Sequence, residues 1–318
     1  MVCSGADGER NSVCVYSLAD ETVVLSLTGH TERVTSVATL TADSSKASYF
    51  IASGSRDKTV RLWTRGTGEC LKVIQGFGEA VLSVALSPGF LLGGEGSSRP
   101  GAVTKGRLWT WTYEATPEGI AVTSAKAKSA FEHSGPIWSV AMSASVAVTG
   151  SDDSTARVWP LNGSSARSLT TLKHPAWVCS VSLNHNDELC ATGCGDSNVR
   201  LWSLDAATGY TCLRTIKHCE GSSNTYPMRV RWVDHGDGGA SLISTGLDDA
   251  VKLWSLHGDG KDDCVATLPH GENLRGLAVA DGGLFLASSG GSKSKSVVVW
   301  RPAQRSSPAF WRPPGTAA

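Results

Sequence analysis

Apolar and polar residues alternate along this chain in short runs, and the runs recur. Six of them are rich in β-branched or apolar residues and end in tryptophan: TVRLW at Trp63, GRLW at Trp109, TARVW at Trp159, NVRLW at Trp202, AVKLW at Trp254 and SVVVW at Trp300. A seventh, SVCVY, has Tyr16 in the tryptophan place. The aromatics follow one another at intervals of 47, 46, 50, 43, 52 and 46 residues. Period-two alternation predicts a strand for each run. A second set sits roughly 25 residues ahead of most of the aromatics: RVTSVATL, AVLSVALS, IWSVAMS, WVCSVSL, MRVRWV and LRGLAVA. A third lies between the two: FIASGSRD, VAVTGSDD, LCATGCGD, LISTGLDD and LFLASSGG. Each repeat therefore predicts strands a, b and c, with a weaker strand d after the aromatic. Within this pattern Trp138, inside its strand a, reads as a core residue.

Four residue types recur in register with these strands. The repeat ending at Trp63 supplies His30, Ser53, Asp57 and Trp63. Two further complete sets are His133, Thr149, Asp153, Trp159 and His174, Thr192, Asp196, Trp202. The repeat at Trp254 offers His218 and Ser244 with either Asp248 or Asp249. The repeat at Trp300 keeps His270 but lacks the Asp, and the repeat at Trp109 has Phe77 where His is expected. Over nearly its whole length the chain resembles the WD-repeat family. The resemblance implies an all-β fold, a seven-bladed β-propeller of WD-type repeats forming a single domain over residues 1–318. It also implies that each His, Ser or Thr, Asp and Trp set forms a buried hydrogen-bonded chain. Ser, His and Asp together can signal hydrolysis, but sets that recur at repeat spacing read as structural. A four-stranded sheet has two apolar faces and cannot stand alone; stacking between neighbours buries both.

The pattern breaks at its ends. Strand a occurs six times and strand c seven, and Val2-Cys3-Ser4-Gly5 aligns with the strand-b run Ile51-Ala52-Ser53-Gly54. Counting on from Trp300 through the tail, residues 301–318, places Ala309–Arg312 where the last strand d belongs. Two outcomes stay open: the tail skips that strand and closes the ring, or one blade is incomplete. A start inside a strand is also what a piece of a longer chain would show.

Composition narrows the function classes. Lys plus Arg and Asp plus Glu are equal at 29 each, so the net charge is zero, which disfavours binding to a nucleic-acid backbone. The sequence has no run of about 18 apolar residues that would span a membrane, and the start MVCSGADGER has no apolar secretory core. The nine cysteines are odd in number and scattered, with Cys14, Cys179 and Cys190 in apolar runs. They read as reduced thiols of an intracellular protein, cytoplasmic or nuclear. Cys190, Cys194 and His185 come closest to a metal cluster but lack ligand spacing. No metal and no cofactor is expected.

Loops on a rigid frame carry function. The resemblance puts the b–c and d–a loops on one face of the propeller, the top. Three elaborations fall there, Gly94–Lys105, Cys219–Pro227 and Gly290–Ser296, while a long c–d connection, Thr112–Ala130, falls on the other face. Candidate partner-binding residues at the top are Arg33, Arg56, Asp152, Trp177, Tyr226, Arg275, Lys293 and Lys295. Aromatic anchors beside positive charge suit proteins or peptides, with an acidic or phosphorylated segment as one fitting class. The expected function is a non-enzymatic protein-interaction scaffold. The alternative is a substrate-recognition subunit of a ubiquitin ligase, although the WDxR sequence through which some members of the family reach a cullin ligase is absent.

Overall fold

The computed structural model describes residues 2–5, 11–17, 20, 22–39, 50–97, 105–116, 119–124, 130–161, 167–184, 186–218, 226–234, 240–256, 262–269, 274, 276–279, 286–289, 297–302 and 311–312. These residues contain strands and turns and no α-helix. The strands form seven separate antiparallel sheets, distributed over two compact units, Met1–Lys173 and His174–Ala318.

The first unit holds four sheets. The first has three strands, β1 (Val2–Gly5), β2 (Val13–Tyr16) and β3 (Val23–Leu27). The second has four, β4 (Val34–Thr39), β5 (Phe50–Ser55), β6 (Val60–Thr64) and β7 (Cys70–Ile74). The third is built from β8 (Val81–Ser87), β9 (Phe90–Glu95) and β10 (Gly106–Thr116), with β11 (Gly119–Ser124) and β12 (Ala130–His133) both pairing β10. The fourth comprises β13 (Ile137–Met142), β14 (Val146–Ser151), β15 (Thr155–Pro160) and β16 (Thr170–Lys173). Apolar faces close between consecutive sheets. Val13, Val15 and Leu27 pack with Val34, Ile51 and Trp63. Leu62 and Ile74 pack with Val81, Leu91 and Trp111, and Leu92 and Leu108 with Ile137, Val140 and Trp159. Glycine permits the close approach: a Cβ on Gly54 would lie 2.8 Å from Val81, and one on Gly94 2.8 Å from Ile137.

The second unit holds three four-stranded sheets. The fifth is β17 (Val178–Leu183), β18 (Leu189–Cys194), β19 (Asn198–Ser203) and β20 (Cys212–Lys217). The sixth is β21 (Pro227–Asp234), β22 (Ala240–Gly246), β23 (Ala250–Leu256) and β24 (Asp262–Pro269). The seventh is β25 (Gly276–Val279), β26 (Leu286–Ser289), β27 (Val297–Pro302) and β28 (Trp311–Arg312). The tail thus supplies the fourth strand of the seventh sheet, with Arg301 opposite Arg312.

Register corrects one assignment. In six sheets the repeat aromatic sits opposite the residue two before the strand-b Ser or Thr position. Ile51 faces Trp63, Ala147 faces Trp159, Cys190 faces Trp202 and Leu242 faces Trp254. In the third sheet Leu91 occupies that place and faces Trp111, while Trp109 faces Gly93. Trp111 is 5% exposed and packs on the second sheet. Trp111 is therefore the repeat tryptophan, and the two flanking intervals become 48 residues each. The alternating run RLWTWTY fits either tryptophan, and only pairing with β9 decides between them.

Two further readings change. Thr112–Ala130 is not a plain loop: β10 runs on to Thr116 and folds back as β11, with Ala115 opposite Ile120. Gly94 and Glu95 belong to β9 rather than to the insertion that follows. Finally, strand a carries a recurrent register shift, between Val34 and Ser36, Val81 and Ser83, Ile137 and Ser139, Val178 and Ser180, and Pro227 and Arg229. A bulge leaves one residue unpaired and re-aims its side chain. Trp138 is that residue in β13. It is partly exposed, and its Nε1 donates to Asp152 Oδ1 at 3.1 Å; the bulge turns it out of the core.

Candidate partner-binding surface

The recurrent polar sets fix the turns from which any surface site must be presented. In the second sheet His30 Nε2 lies 2.7 Å from Ser53 Oγ and His30 Nδ1 lies 2.7 Å from Asp57 Oδ2. Trp63 Nε1 donates to the same Ser53 Oγ at 2.8 Å. The fourth sheet repeats this geometry, with His133 to Thr149 at 2.7 Å, His133 to Asp153 at 2.9 Å and Trp159 to Thr149 at 2.9 Å. Each Asp also caps its surroundings. Asp57 accepts the Thr31 and Thr59 N–H groups, and Asp153 those of Ser134 and Thr155. The residue after each Asp takes a left-handed conformation, Lys58 at φ 64° and Ser154 at φ 63°.

In the fifth sheet His174 Nε2 is 2.8 Å from Thr192 Oγ1, and Trp202 donates to Thr192 at 3.0 Å. Arg200 clamps both oxygens of Asp196, at 3.1 and 2.5 Å. In the sixth sheet the carboxylate is that of Asp248, 3.2 Å from His218 Nε2, while Asp249 takes the left-handed place at φ 58°. The ring is turned over, with His218 Nδ1 on Ser244 Oγ at 2.7 Å, and Lys252 joins Asp248 at 2.8 Å. His270 lies outside the described residues.

Burial and hydrogen bonding set the charge states. Burial resists ionisation of Asp153, but the bonds from His133, Thr155 and the Ser134 N–H outweigh it and hold the carboxyl at about 2. Asp196 sits at about 2 against the same burial cost, through Arg200 and Asn198. Burial pushes His30 and His218 below the usual imidazole value, against the pull of Asp57 and Asp248. These imidazoles are neutral linkers in closed chains, with no free lone pair aimed at a substrate.

The third sheet fills the same slot differently. Phe77 stands in the His place and Gly93 in the Ser place. Phe77 packs against Trp109 and Trp111 with ring centroids 5.4 Å away in both cases, and the two indoles stack at 6.1 Å. Glu95 reaches from the end of β9 to accept the Gly78 N–H at 3.1 Å and pairs with Arg107 at 3.4 Å. It caps the residue after Phe77 as Asp153 caps the residue after His133. Nothing in the repeat pattern signals this replacement apart from the missing His and Asp.

Among the candidate surface residues, the structure brings Trp177 and Tyr226 together. They precede β17 and β21, and their rings meet edge to face at 5.4 Å and 88°. Trp177 lies over Gly195, where an added Cβ would come within 2.5 Å of the indole, and is still 40% exposed. Arg33 and Arg56 are joined through the backbone, Arg56 N–H to Arg33 O at 2.9 Å, and the Arg56 side chain is exposed. Asp152 is engaged by Trp138. Arg275, Lys293 and Lys295 lie outside the described residues, as does His185. Of its two suggested cluster partners, Cys190 is buried and its thiol is pushed up to about 12 by burial, while Cys194 Sγ points at Ala176 O.

Comparison with known proteins agrees with this anatomy. The family model "WD domain, G-beta repeat" matches residues 21–64, 126–160 and 166–203. These three segments of the chain are WD repeats. The matched segments end one residue past the tryptophans of the second, fourth and fifth sheets, the three with complete sequence sets, while β8, β9, β10 and β11 of the Phe77 sheet fall outside them. Curated relatives include the nuclear distribution protein PAC1 of Coccidioides posadasii, 26% identical over 270 residues, covering 76% of this chain and 56% of that protein. A ribosome biogenesis protein WDR12 homolog of Drosophila persimilis is 26% identical over 269 residues, covering 79% and 59%. The DENN domain and WD repeat-containing protein SCD1 of Arabidopsis thaliana is 26% identical over 238 residues, covering 73% and 18%. The chain spans about half the length of the PAC1 and WDR12 relatives. Among the described residues, no helix is long and apolar enough to cross a membrane.

Proposed function

We propose that this chain is a non-enzymatic interaction scaffold that holds partner proteins inside the cell, with the Trp177–Tyr226 pair as an anchor of its binding surface. The observation that carries the reading is the exposed Trp177 ring, fixed edge to face by Tyr226 and from below by Gly195. A large aromatic that is already ordered loses little conformational entropy on binding, which is why such residues dominate interfaces. The relatives named for nuclear distribution and ribosome biogenesis favour a scaffold role over the ubiquitin-ligase receptor, which is not carried forward. Arg275, Lys293 and Lys295 belong to the following repeat in sequence, and their positive charge favours an acidic or phosphorylated segment.

Affinity capture with the wild-type chain and with a Trp177→Ala, Tyr226→Ala double variant tests this. One set of partners should be lost from the variant while its circular dichroism and melting stay close to wild type. Retention of every partner sinks the assignment of the surface. A second variant, Lys293→Glu with Lys295→Glu, should weaken capture of acidic or phosphorylated partners selectively.

A further inference from the structure

The bulge in each strand a sets the course of two neighbouring side chains. The residue after the bulge turns to the next sheet and stitches it. Ser36 Oγ accepts the Val84 N–H at 3.1 Å, Ser83 Oγ the Val140 N–H at 3.0 Å and Ser180 Oγ the Val230 N–H at 3.1 Å. Ser139 and Arg229 hold the same register place in the fourth and sixth sheets. The bulged residue itself is Thr35, Leu82, Trp138, Cys179 or Met228. Thr35 commits its hydroxyl to the Gly54 and Val81 carbonyls, and Leu82 and Cys179 are buried. Trp138 is the largest of the five and stays partly exposed.

The b–c turn of the fourth sheet meets this indole with an acid. The Asp152 N–H donates to Pro136 O at 3.0 Å, which ties the turn to the entry of β13. The turn is seated closely: a Cβ on Gly135 would lie 3.0 Å from Asp152 Cβ, and a Cβ on Gly96 2.5 Å from Pro136. Asp152 is exposed, and its Oδ1 accepts Trp138 Nε1–H at 3.1 Å. The single donor of the indole is thereby used. Among the described residues the other carboxylate oxygen makes no hydrogen bond or ion pair. Asp153 follows directly, with its carboxyl at about 2, and adds negative charge to the turn. Arg56, Gly96, Gly195 and Leu247 hold the place of Asp152 in their own sheets, by the same backbone bond, and none of them is acidic. An ordered indole face beside a carboxylate with a free oxygen is complementary to a guanidinium. Such a group stacks its plane on the ring and donates from its edge to the acid.

We propose that Trp138 and Asp152 form a second interaction site, on the first unit, that takes an arginine side chain from an exposed segment of a partner protein. The site lies apart from the Trp177–Tyr226 anchor and does not depend on it. The test titrates the full chain, carrying isotope-labelled tryptophan, with a blocked Gly-Ala-Arg-Ala-Gly peptide. The readout is the nuclear magnetic resonance signal of the Trp138 indole N–H, assigned by its loss in Trp138→Phe. That signal should shift saturably with the arginine peptide, less with its lysine counterpart and not at all with the neutral citrulline counterpart. Asp152→Asn keeps an acceptor for the indole and should weaken binding about fivefold, the upper range for an exposed ion pair, with melting unchanged. No shift with the arginine peptide, an equal response to the lysine or citrulline peptide, or full affinity in Asp152→Asn overturns the proposal.

Discussion

The third and fourth sheets are neighbours in one unit and fill the same internal slot with opposite chemistry. In the fourth, His133, Thr149, Asp153 and Trp159 form a closed polar chain in which each buried atom has a partner. In the third, Phe77 and two stacked indoles fill the space with rings, and the serine position is reduced to Gly93. A Cβ there would stand 3.3 Å from both Phe77 and Trp111. The slot thus requires volume and satisfied polar atoms, and does not require a particular hydrogen bond. What both sheets retain is an acid that caps the residue after the His or Phe position. Asp153 does so from the b–c turn and Glu95 from the strand end.

The largest test concerns the two tryptophans of the third sheet. Trp111→Ala should cost about 3–5 kcal/mol, the range for a buried large aromatic, and Trp109→Ala clearly less, because that ring is partly exposed. Denaturant midpoints at constant m-value measure both. Equal costs, or the reverse order, would return the repeat position to Trp109.

Next come the substitutions that swap the two chemistries. Asp153→Ala leaves His133 short of a buried partner and should lower stability by about 1–3 kcal/mol. Phe77→His should be destabilising by a similar amount, although it restores the recurring residue type, since Gly93 offers the imidazole no hydroxyl. If Phe77→His were neutral or stabilising, the aromatic filling would be incidental.

Acidity separates the sheets with opposite signs. Asp153 is held at about 2 in the fold, below its ordinary value of 3.8. The stability it contributes is present above pH 4 or so and is lost as pH falls toward 2. His30 and His218 are lowered from 6.5, so the fold favours their neutral rings, and stability begins to erode below about pH 6.5 as the unfolded chain takes up protons. Glu95 goes the other way. Burial outweighs Arg107 and the Gly78 N–H and raises its carboxyl above 4.5, so the fold favours the protonated form. Melting curves from pH 8 to pH 2 should show wild type losing stability on acidification. The difference between Glu95→Gln and wild type should move in favour of the variant as pH rises from 3 to 7. A difference that moves the opposite way places Glu95 with the ionised capping aspartates.

The smallest expected effect on stability is at the surface. Trp177→Ala should change folding stability by about 1 kcal/mol or less, since half-exposed side chains away from the core carry little. A loss as large as that of Trp111→Ala would make Trp177 a structural residue and remove the argument for an anchor.

The sequence by itself determined the repeat, the all-β class and which residues could make polar chains, because period two and the recurring His, Ser or Thr, Asp and Trp are local signals read along one strand at a time. It also marked the third repeat as irregular through Phe77. Tertiary structure decided everything that depends on what lies across a strand. The alternating run around Trp109 and Trp111 satisfies the pattern with either indole inward, and only pairing of Leu91 with Trp111 selects one. Trp138 sits in a run that predicts core, and a bulge of one residue turns it toward Asp152. The choice of Asp248 over Asp249 rests on backbone handedness. The meeting of Trp177 with Tyr226, 49 positions apart in sequence, and the placing of Arg229 where other sheets carry a stitching serine, follow from register. Local alternation fixes which side of a strand a residue takes, and the packing of neighbouring sheets fixes what it finds there.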